Sequence, residues 1–315
     1  MADADDRPGD WRTTLLLSAA LDTGLLAAFA PPRTPDDAAR AAGVDPRAAA
    51  ILARALTDAG CLRDAGGGAL GLAGWGATLV ETPEGEAFAA ALGLEVRAIR
   101  SHLGLAETLR SGSPRDDVSA GDRETRERFM RAMRTVAAPR AADTVAALGP
   151  PVGAGRLLDV GGAPGTYALA FAGAGWDVTV LDLPETLEIG APDLHSGGVA
   201  TVAGDATAAL PDGPWDVVYV GNVVHLLDPE RAAALVARAA GALAPGGRLA
   251  IQEVLGDQSP QGPLFGVMML VSTPGGDAYP RAAYERWLAE AGLKLERVVS
   301  LEEGWHHLLL SGPRP

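Results

Sequence analysis

The pattern of apolar and polar positions divides the chain into three zones. In the first zone, which we place at residues 1–82, the segment 11–29 carries leucines at helical spacing. Two further helices are predicted to begin at Pro35 and Pro46. In each case a capping side chain, Thr34 or Asp45, precedes a proline at the first helical position.

Residues 61–72 predict a two-stranded wing after these helices. Two short apolar runs flank the glycines 66–68, as expected for a tight turn between strands. Three short helices followed by a wing are typical of a winged-helix domain. A DNA-binding domain of this kind would carry a basic recognition helix. The candidate helix, from Pro46 to Ala59, is dominated by alanine and leucine instead. We therefore expect the domain to serve packing or dimerisation.

The second zone, residues 83–150, is predicted to be a helical linker. Apolar residues recur at helical spacing over 87–109 and over 123–148. Phe129 and Met133 are candidate substrate contacts in this zone, since flexible methionine side chains suit apolar pockets. Packing in the core is the alternative for both side chains.

The third zone, residues 151–315, alternates strands and helices. This alternation predicts an α/β domain with a Rossmann-like, mainly parallel sheet, and ligands bind such sheets at the carboxyl ends of the strands. Strands are predicted at 156–160, 178–182, 199–203, 215–220, 248–255, 295–300 and 307–310. Helices are predicted at 166–174, 229–243 and 280–291.

Composition narrows the range of partners. The chain has 26 basic and 40 acidic residues, a net charge of −14, and Lys294 as its only lysine. Nucleic acid is therefore not expected as a partner, because phosphate binding needs a basic face. The acidic start, Met1–Asp6, is unlike a secretory signal. No apolar run is long enough to span a membrane, so we expect a cytoplasmic protein without a membrane partner. Cys61 is the single cysteine and is expected to be buried.

A glycine-rich turn follows the first strand of the third zone. Asp159 ends the strand, and Gly161, Gly162 and Gly165 come next, before a helix. Glycines let the backbone turn tightly and approach a ligand closely. A dinucleotide site would place a pyrophosphate here. The acid would repel that pyrophosphate, whereas it suits the ammonium group of S-adenosylmethionine, which carries no phosphate.

Further acids follow the next two strands. Asp182 ends the second strand, where its carboxylate can accept hydrogen bonds from ribose hydroxyls, and Asp205 follows the third strand, where an adenine ring would lie. A tight turn is expected at Pro245–Gly247. The predicted cofactor-binding residues are Asp159, Gly161, Gly162, Gly165, Asp182, Leu183, Gly204, Asp205, Ala206 and Asn222.

These motifs resemble the class I S-adenosylmethionine-dependent methyltransferases. Together with the first zone, they resemble the small-molecule O-methyltransferases that carry an N-terminal winged-helix dimerisation domain, of the caffeate and hydroxyindole type and their bacterial natural-product relatives. The segments that carry the resemblance are 159–165, Asp182, 204–205, 222–225 and 244–253. The resemblance implies S-adenosylmethionine as cofactor, a homodimer formed through the N-terminal domain, and methyl transfer to a hydroxyl of a small aromatic or polyketide-like acceptor.

His225 and Glu253 are the predicted catalytic residues. The resemblance implies that His225 occupies the position of the general base, and that Glu253, at the end of the fifth strand, orients its imidazole. A structural or substrate-shaping role is the alternative for His225. The chain has Leu226-Leu227 after the histidine, where the family often has an aromatic residue, so methylation of carbon or nitrogen, or a use of the cofactor without methylation, stays open.

Candidate substrate contacts also come from the last third of the chain. The apolar segment 264–269 contributes Met268 and Met269, and Asp277 follows a Gly-Gly pair where the family often has a second acid beside the base. The register of Asp277 is open at this stage. No cluster has metal-ligand spacing, so a metal is not expected. An alternative of another class is a ligand-sensing winged-helix regulator, which would bind DNA in a strongly salt-dependent way.

Overall fold

The computed structural model describes residues 11–114, 123–151 and 153–313. The chain divides into two compact units, one ending at Ile99 and the other beginning at Arg100. The predicted three-part division, with boundaries after residues 82 and 150, stays a prediction. The segment Met1–Asp6 lies outside the described residues. Among the described residues, no helix has both the length and the apolar character needed to cross a bilayer.

The first unit contains the predicted helices and wing. Its elements are α1 (Trp11–Asp22), α2 (Pro35–Ala42), α3 (Pro46–Asp58), β1 (Leu62–Gly66), β2 (Ala69–Leu72), α4 (Gly74–Glu81) and the greater part of α5 (Pro83–Leu103). β1 and β2 pair antiparallel. Thr34 and Asp45 accept hydrogen bonds from the backbone N–H groups of Asp37 and Ala48, which confirms both predicted helix starts.

A small apolar core holds the first unit together. Leu17, Leu26, Phe29 and Leu56 are almost fully buried in it. Cys61 is also buried there, and burial raises the pKa of its thiol. A protonated, buried thiol is a packing residue rather than a nucleophile.

The second unit is built on a seven-stranded sheet with the strand order β5-β4-β3-β6-β7-β9-β8. The first five strands in this order run parallel, and β9 runs antiparallel to both of its neighbours. The mainly parallel sheet is therefore confirmed. Its strands are β3 (Arg156–Val160), β4 (Asp177–Asp182), β5 (Ala200–Ala203), β6 (Trp215–Gly221), β7 (Leu243–Glu253), β8 (Leu293–Leu301) and β9 (His306–Pro313).

Helices cover both faces of this sheet. The helices of this unit are α6 (Leu105–Ser111), α7 (Arg123–Leu148), α8 (Thr166–Gly173), α9 (Pro184–Ser196), α10 (Pro229–Gly241), α11 (Gly262–Ser272) and α12 (Arg281–Glu290). Side chains of α7, α8 and α9 pack on one face with Val217, Leu308 and Leu310. Side chains of α10 and α12 pack on the other face with Ile251 and Leu309. The inner strands of the sheet, such as β3, β6 and β9, are thus buried on both sides, as their continuous apolar runs predict.

Several local features differ from the prediction. The helix expected over 87–109 is divided at Gly104, because glycine is a weak helix former and the chain restarts there as α6. The turn at Pro245–Gly247 lies inside β7, where four residues bulge out of the ladder between Leu243 and Arg248. No helix is predicted from the sequence at α4, α9 or α11, and in α9 Gly190 and Pro192 interrupt the helical pattern.

Candidate active site

The glycine-rich turn after β3 forms a tight loop at the carboxyl edge of the sheet. Gly161 has a φ of +71° and its N–H donates to the carbonyl of Leu181 over 2.7 Å. A Cβ on Gly161 would lie 2.6 Å from Cγ2 of Val223, and a Cβ on Gly162 would lie 2.5 Å from the carboxyl of Asp159. Both positions therefore require glycine, and their missing side chains leave the space that the backbone needs.

Asp159 is buried behind this loop. Its side chain is 1% exposed, and Oδ2 has no hydrogen-bond partner among the described residues. Burial, and next the charge of Asp182, raises the pKa of Asp159 to about 8. A buried carboxyl without a partner is costly unless a cation meets it. The predicted cofactor fits here, because its ammonium group would supply that cation.

Asp182 ties the end of β4 to the glycine-rich loop. Its Oδ2 accepts from the N–H of Ala163 over 3.0 Å and its Oδ1 from the N–H of Leu183 over 2.7 Å. Burial raises the pKa of Asp182 to about 6, although the two backbone donors oppose the shift. A carboxylate offers about four acceptor positions. Two therefore remain for a ligand, so the predicted contact with ribose hydroxyls stays compatible with the geometry.

The other predicted cofactor residues lie along the same edge. Gly204 donates its N–H to the carbonyl of Asp182, and Asp205 is an exposed residue whose Oδ1 accepts from the N–H of Thr207 over 2.7 Å. Ala206 packs against the core. Asn222 has a φ of +58° and directs its N–H to the carbonyl of Gln252. Three large apolar side chains of this edge are partly exposed: those of Leu183, Val202 and Leu226.

His225 and Glu253 meet at the ends of neighbouring strands. His225 lies in a 3₁₀ turn (Val224–Leu226) after β6, and Glu253 is the last residue of β7. Nδ1 of His225 lies 2.6 Å from Oε2 of Glu253. Oε1 of Glu253 accepts from the N–H groups of Val224 and His225, over 2.8 and 3.3 Å. The carboxylate is fully buried and His225 is 8% exposed.

This contact fixes the state of the imidazole. A carboxylate can only accept, so Nδ1 of His225 carries a proton, and in the neutral form of the ring Nε2 presents a lone pair. Phe265, on α11, packs edge-on against the ring with centroids 5.1 Å apart. The arrangement can accept a proton at Nε2 and stabilise the resulting imidazolium through Glu253. Phe265 was not among the predicted residues, although it belongs to the apolar segment 264–269.

Asp277 is linked to His225 through the backbone. The N–H of Asp277 donates to the carbonyl of His225 over 3.1 Å. Its carboxyl oxygen Oδ1 faces α11, 2.8 Å from the place where a Cβ on Gly266 would stand. There it lines a cavity of about 430 Å³ with Gly266, Val267 and Leu270 of α11. No hydrogen bond between the Asp277 carboxyl and the His225 imidazole exists within the described part of the chain.

The periodicity of α11 separates this cavity from the imidazole. Gly266 and Leu270 share one face of the helix, whereas Phe265, Met268 and Met269 share the other. Met268 is half-buried and Met269 is buried. The structure therefore groups the two predicted methionines with the aromatic ring that contacts His225, and it directs Asp277 to the opposite face.

The helix α7 covers the glycine-rich loop. NH2 of Arg134 donates to the carbonyl of Pro164 over 3.1 Å and lies 2.6 Å from a carboxyl oxygen of Asp193 on α9. Cε of Met130 lies 3.5 Å from the place of a Cβ on Gly190, also on α9. The predicted contacts Phe129 and Met133, on the same helix, are half-buried. Their role toward a substrate stays a prediction.

A buried polar chain joins α7 to the edge of the sheet, and sequence reasoning missed it. Oγ1 of Thr144 donates to Oε1 of Gln252 over 2.7 Å, and Nε2 of Gln252 donates to the hydroxyl of Tyr167 over 2.7 Å. Gln252 precedes Glu253, so the chain lies on the opposite face of β7. The one available signal was a glutamine in an otherwise apolar strand, which calls for buried partners.

Comparison with known proteins assigns the family. A family model described as a methyltransferase domain matches residues 126–298, more than half of the chain. The chain belongs to the methyltransferase domain family. The predicted family resemblance and α/β fold class are thereby confirmed. Among the described residues, no group of histidine, cysteine and acidic side chains could hold a metal ion.

Two curated relatives and one solved structure show the range of similar proteins. The chain is 29% identical over 216 residues to the mitomycin biosynthesis 6-O-methyltransferase of Streptomyces lavendulae, covering 64% of the chain and 61% of the relative. It is 34% identical over 112 residues to the 3-amino-4-hydroxybenzoate 4-O-methyltransferase of Streptomyces cremeus, covering 34% and 30%. The chain thus matches less than two thirds of the length of either relative.

The solved structure is the O-methyltransferase NcsB1 from neocarzinostatin biosynthesis, in complex with S-adenosylhomocysteine and 1,4-dihydroxy-2-naphthoic acid. It superposes with a TM-score of 0.78 at 23% identity, over 97% of both chains. This similarity shows that the two chains share a fold over nearly their whole length. The prediction of S-adenosylmethionine as cofactor agrees with that neighbour, which binds S-adenosylhomocysteine, the demethylated form of the same cofactor.

Proposed function

We propose that the chain transfers a methyl group from S-adenosylmethionine to a hydroxyl of a small aromatic acceptor, with His225 as general base. The observation that carries the proposal is the buried contact between His225 and Glu253, which leaves Nε2 of the imidazole free to take a proton at the edge of the sheet. The relatives support an aromatic hydroxyl as the acceptor group, since both are named as O-methyltransferases.

The residues around the glycine-rich loop fit the cofactor. When bound, S-adenosylmethionine supplies a methyl group on a sulfonium, which is already a good leaving group. Asp159 would bind the ammonium group through its unpartnered Oδ2. Asp182 would bind the ribose through its two remaining acceptor positions, and the loop between them supplies the close backbone approach.

His225 and Glu253 then act on the acceptor. Nε2 of His225 would accept the proton of the acceptor hydroxyl, and Glu253 would stabilise the positive charge that forms on the ring. Positioning the acceptor is the larger part of the task, since holding two reactants in line can contribute about 7–11 kcal/mol. The face of α11 that carries Phe265 and the two methionines offers an apolar surface for an aromatic ring.

The test is a methyl-transfer assay combined with a binding measurement. Isothermal titration with S-adenosylhomocysteine should show one site per chain. Mass spectrometry should show a gain of one methyl group on 3-amino-4-hydroxybenzoate or on 1,4-dihydroxy-2-naphthoate. The variant His225→Gln should lose rate by about 10²–10⁴-fold with little change in cofactor affinity. His195→Gln, at an exposed histidine that contacts Thr201, is the control and should keep full rate. Absence of cofactor binding contradicts the proposal, and an unchanged rate in His225→Gln contradicts the role of the base.

We also propose that the chain forms a homodimer through its first unit. The proposal comes from the family resemblance, and large apolar side chains exposed on that unit, Trp11 and Ile51, support it. Light scattering coupled to size exclusion gives the test: the mass should be twice that of one chain. A monomer at micromolar concentration contradicts the proposal.

A further inference from the structure

His307 lies beside the His225–Glu253 pair and has no assigned role. In the antiparallel register of β7 and β9, His307 is directly opposite Glu253. Residues opposite each other in such a pair project to the same face of the sheet. The alternation along β9 agrees with this, because Leu309 packs with Ile251 on that face, whereas Leu308 packs on the other. Histidine, glutamate and histidine therefore follow one another along one edge.

Ser259 fixes the orientation and tautomer of His307. Oγ of Ser259 accepts from the N–H of Leu255 over 3.0 Å and donates its proton to the carbonyl of Trp305 over 2.9 Å. Nδ1 of His307 lies 3.4 Å from the same oxygen. A hydroxyl has only one proton to donate, so Nδ1 of His307 must be the donor in this contact. The proton therefore sits on Nδ1, and Nε2 carries a lone pair.

Nε2 of His307 has no hydrogen-bond partner in the described part of the chain. The residue as a whole is 6% exposed, but Nε2 is not among the enclosed polar atoms that lack a partner, so this nitrogen faces a solvent-accessible space. Burial lowers the pKa of His307, against the opposing charge of Asp257, which keeps the ring neutral. A neutral acceptor that is open to solvent and has no protein partner is available to a donor on a bound ligand.

His306 provides the contrast. It lies on the opposite face of β9, where Nδ1 is 3.1 Å from Oε2 of Glu302 and Nε2 is 3.5 Å from NH1 of Arg140. Both of its nitrogens have protein partners, so this histidine belongs to a structural network. Of the two adjacent histidines, only His307 presents a nitrogen without such a partner, and it does so on the face of Glu253.

We propose that Nε2 of His307 accepts a hydrogen bond from a second polar group of the methyl acceptor, an O–H or N–H other than the hydroxyl that is methylated. The inference rests on the proposed function. It narrows the acceptor class to aromatic hydroxy compounds that carry a further hydrogen-bond donor. His307 would thus be a specificity residue, while His225 handles the proton of the methylated hydroxyl.

Two substitutions separate the nitrogens of His307. Asparagine places its amide near the position of Nδ1, so His307→Asn keeps a donor for Ser259 but removes the group at Nε2. Glutamine extends to the position of Nε2, so His307→Gln restores an acceptor oxygen there. The acceptors are used in matched pairs: 3-amino-4-hydroxybenzoate with 4-hydroxybenzoate, and 1,4-dihydroxy-2-naphthoate with 1-hydroxy-2-naphthoate. One member of each pair lacks the second donor.

The expected result is a change in preference, measured as the ratio of kcat/KM within a pair. The protein should prefer the member with the second donor, and His307→Asn should reduce that preference by about tenfold, mainly through KM. His307→Gln should recover most of it. Equal losses on both members of each pair, or equal behaviour of the two variants, would show a packing role and overturn the inference. Rates on all four acceptors too low to measure, with cofactor binding intact, count against the acceptor class in both proposals.

A second measurement does not depend on turnover. In protein labelled with ¹⁵N-histidine, the Nε2 signal of His307 should have the chemical shift of an unprotonated nitrogen, and Ser259→Ala should weaken that tautomer preference. Adding 1,4-dihydroxy-2-naphthoate with S-adenosylhomocysteine should shift the Nε2 signal in the wild type. A protonated Nε2, or a signal that the acceptor leaves unmoved, overturns the inference. Loss of S-adenosylhomocysteine binding would instead refute the proposed function.

Discussion

Nδ1 of His225 and Oε2 of Glu253 are 2.6 Å apart, and the same carboxylate holds the backbone of the turn that carries the histidine. Glu253 therefore sets both the position and the tautomer of the ring. Replacing the carboxylate by a group that donates a hydrogen bond should therefore change the tautomer of His225.

Replacing Glu253 by glutamine should reverse the tautomer of His225. An amide can still accept from the backbone through its oxygen, but its NH₂ group would face Nδ1 and require a lone pair there. The proton would then sit on Nε2, which could no longer act as a base. We expect methyl transfer to fall by about 10²–10⁴-fold while the fold is kept. Activity assays and histidine NMR on Glu253→Gln check this, and a rate within threefold of wild type contradicts it.

Asp159 should make the cofactor-free protein less stable as the pH rises. Its pKa in the folded state is about 8, whereas an unfolded aspartate has a pKa of about 3.9. Between these values the folded state holds the extra proton, so unfolding becomes easier with increasing pH, and the loss is complete above pH 8. Asp159→Asn removes this pH dependence. Between pH 4 and 8 the free energy of unfolding of the variant should therefore rise relative to that of the wild type, by an amount on the order of 1 kcal/mol or more.

The measurement is urea unfolding at several pH values without cofactor. The same variant should bind S-adenosylhomocysteine more weakly, because the partner of its ammonium group has lost its charge. A difference in the free energy of unfolding that does not change with pH would show that the carboxyl of Asp159 is ionised in the folded protein.

Gly161→Ala should damage the cofactor loop. The loop would hold the alanine in the left-handed backbone conformation of Gly161, which side chains disfavour. Its methyl group would also lie 2.6 Å from Cγ2 of Val223. Such strain costs about 1–3 kcal/mol of stability, and cofactor affinity should fall with it. Gly241→Ala is the matched control. Gly241 ends α10 with open space at its Cβ position, so alanine there should stabilise by about 0.4–1 kcal/mol. Similar melting temperatures for the two variants contradict the prediction.

Arg134→Ala should loosen the glycine-rich loop without unfolding the domain. The guanidinium bonds the carbonyl of Pro164 and pairs with Asp193, but the side chain is partly exposed, so its contribution is modest. We expect affinity for S-adenosylhomocysteine to fall about two- to fivefold at low salt, and less at high salt. Arg131→Ala, at an exposed position of the same helix, is the control. A larger loss in the control, or a loss independent of salt, speaks against this role.

Thr144→Val should cost stability rather than catalysis. The substitution keeps the shape of the side chain but leaves Oε1 of Gln252 buried without the hydroxyl that donates to it. An unsatisfied buried acceptor costs about 1–3 kcal/mol. Chemical denaturation measures the effect, and Thr135→Val, where the hydroxyl bonds only its own helix, should change stability much less.

The sequence predicted those parts of the fold that depend on local pattern. Apolar runs of four to eight residues located the strands of the sheet closely, and capping residues located the starts of α2 and α3. The acids at strand ends could be placed at one edge, because parallel strands bring their carboxyl ends together. Helix α9 escaped because Gly190 and Pro192 break its pattern. Gly190 packs closely against Ala163, since a Cβ on Gly190 would lie 3.4 Å from Cβ of Ala163.

The relationships between distant residues could not be predicted. Thr144 and Gln252 are 108 residues apart, and the contact between His307 and Ser259 depends on the antiparallel register of β9. The side to which Asp277 points depends on the rotation of α11, which no local pattern fixes. Such features follow from packing in three dimensions and are set only when strands and helices have found their neighbours.

The position of β9 has a consequence for the order in which the sheet can be completed. It follows all other strands in the chain, yet it lies inside the sheet, between β7 and β8. During synthesis β7 therefore has an open edge until the β8–β9 hairpin inserts, and an open edge is a template for pairing with another chain. Glu253 can bind His225 before β9 pairs with β7, but His307 lies opposite Glu253 only after that pairing. The residues proposed to bind the cofactor, on β3 and β4, can thus be in place while β7 still lacks its neighbour β9, which carries His307. Until then the open edge of β7 can pair with a strand of another chain.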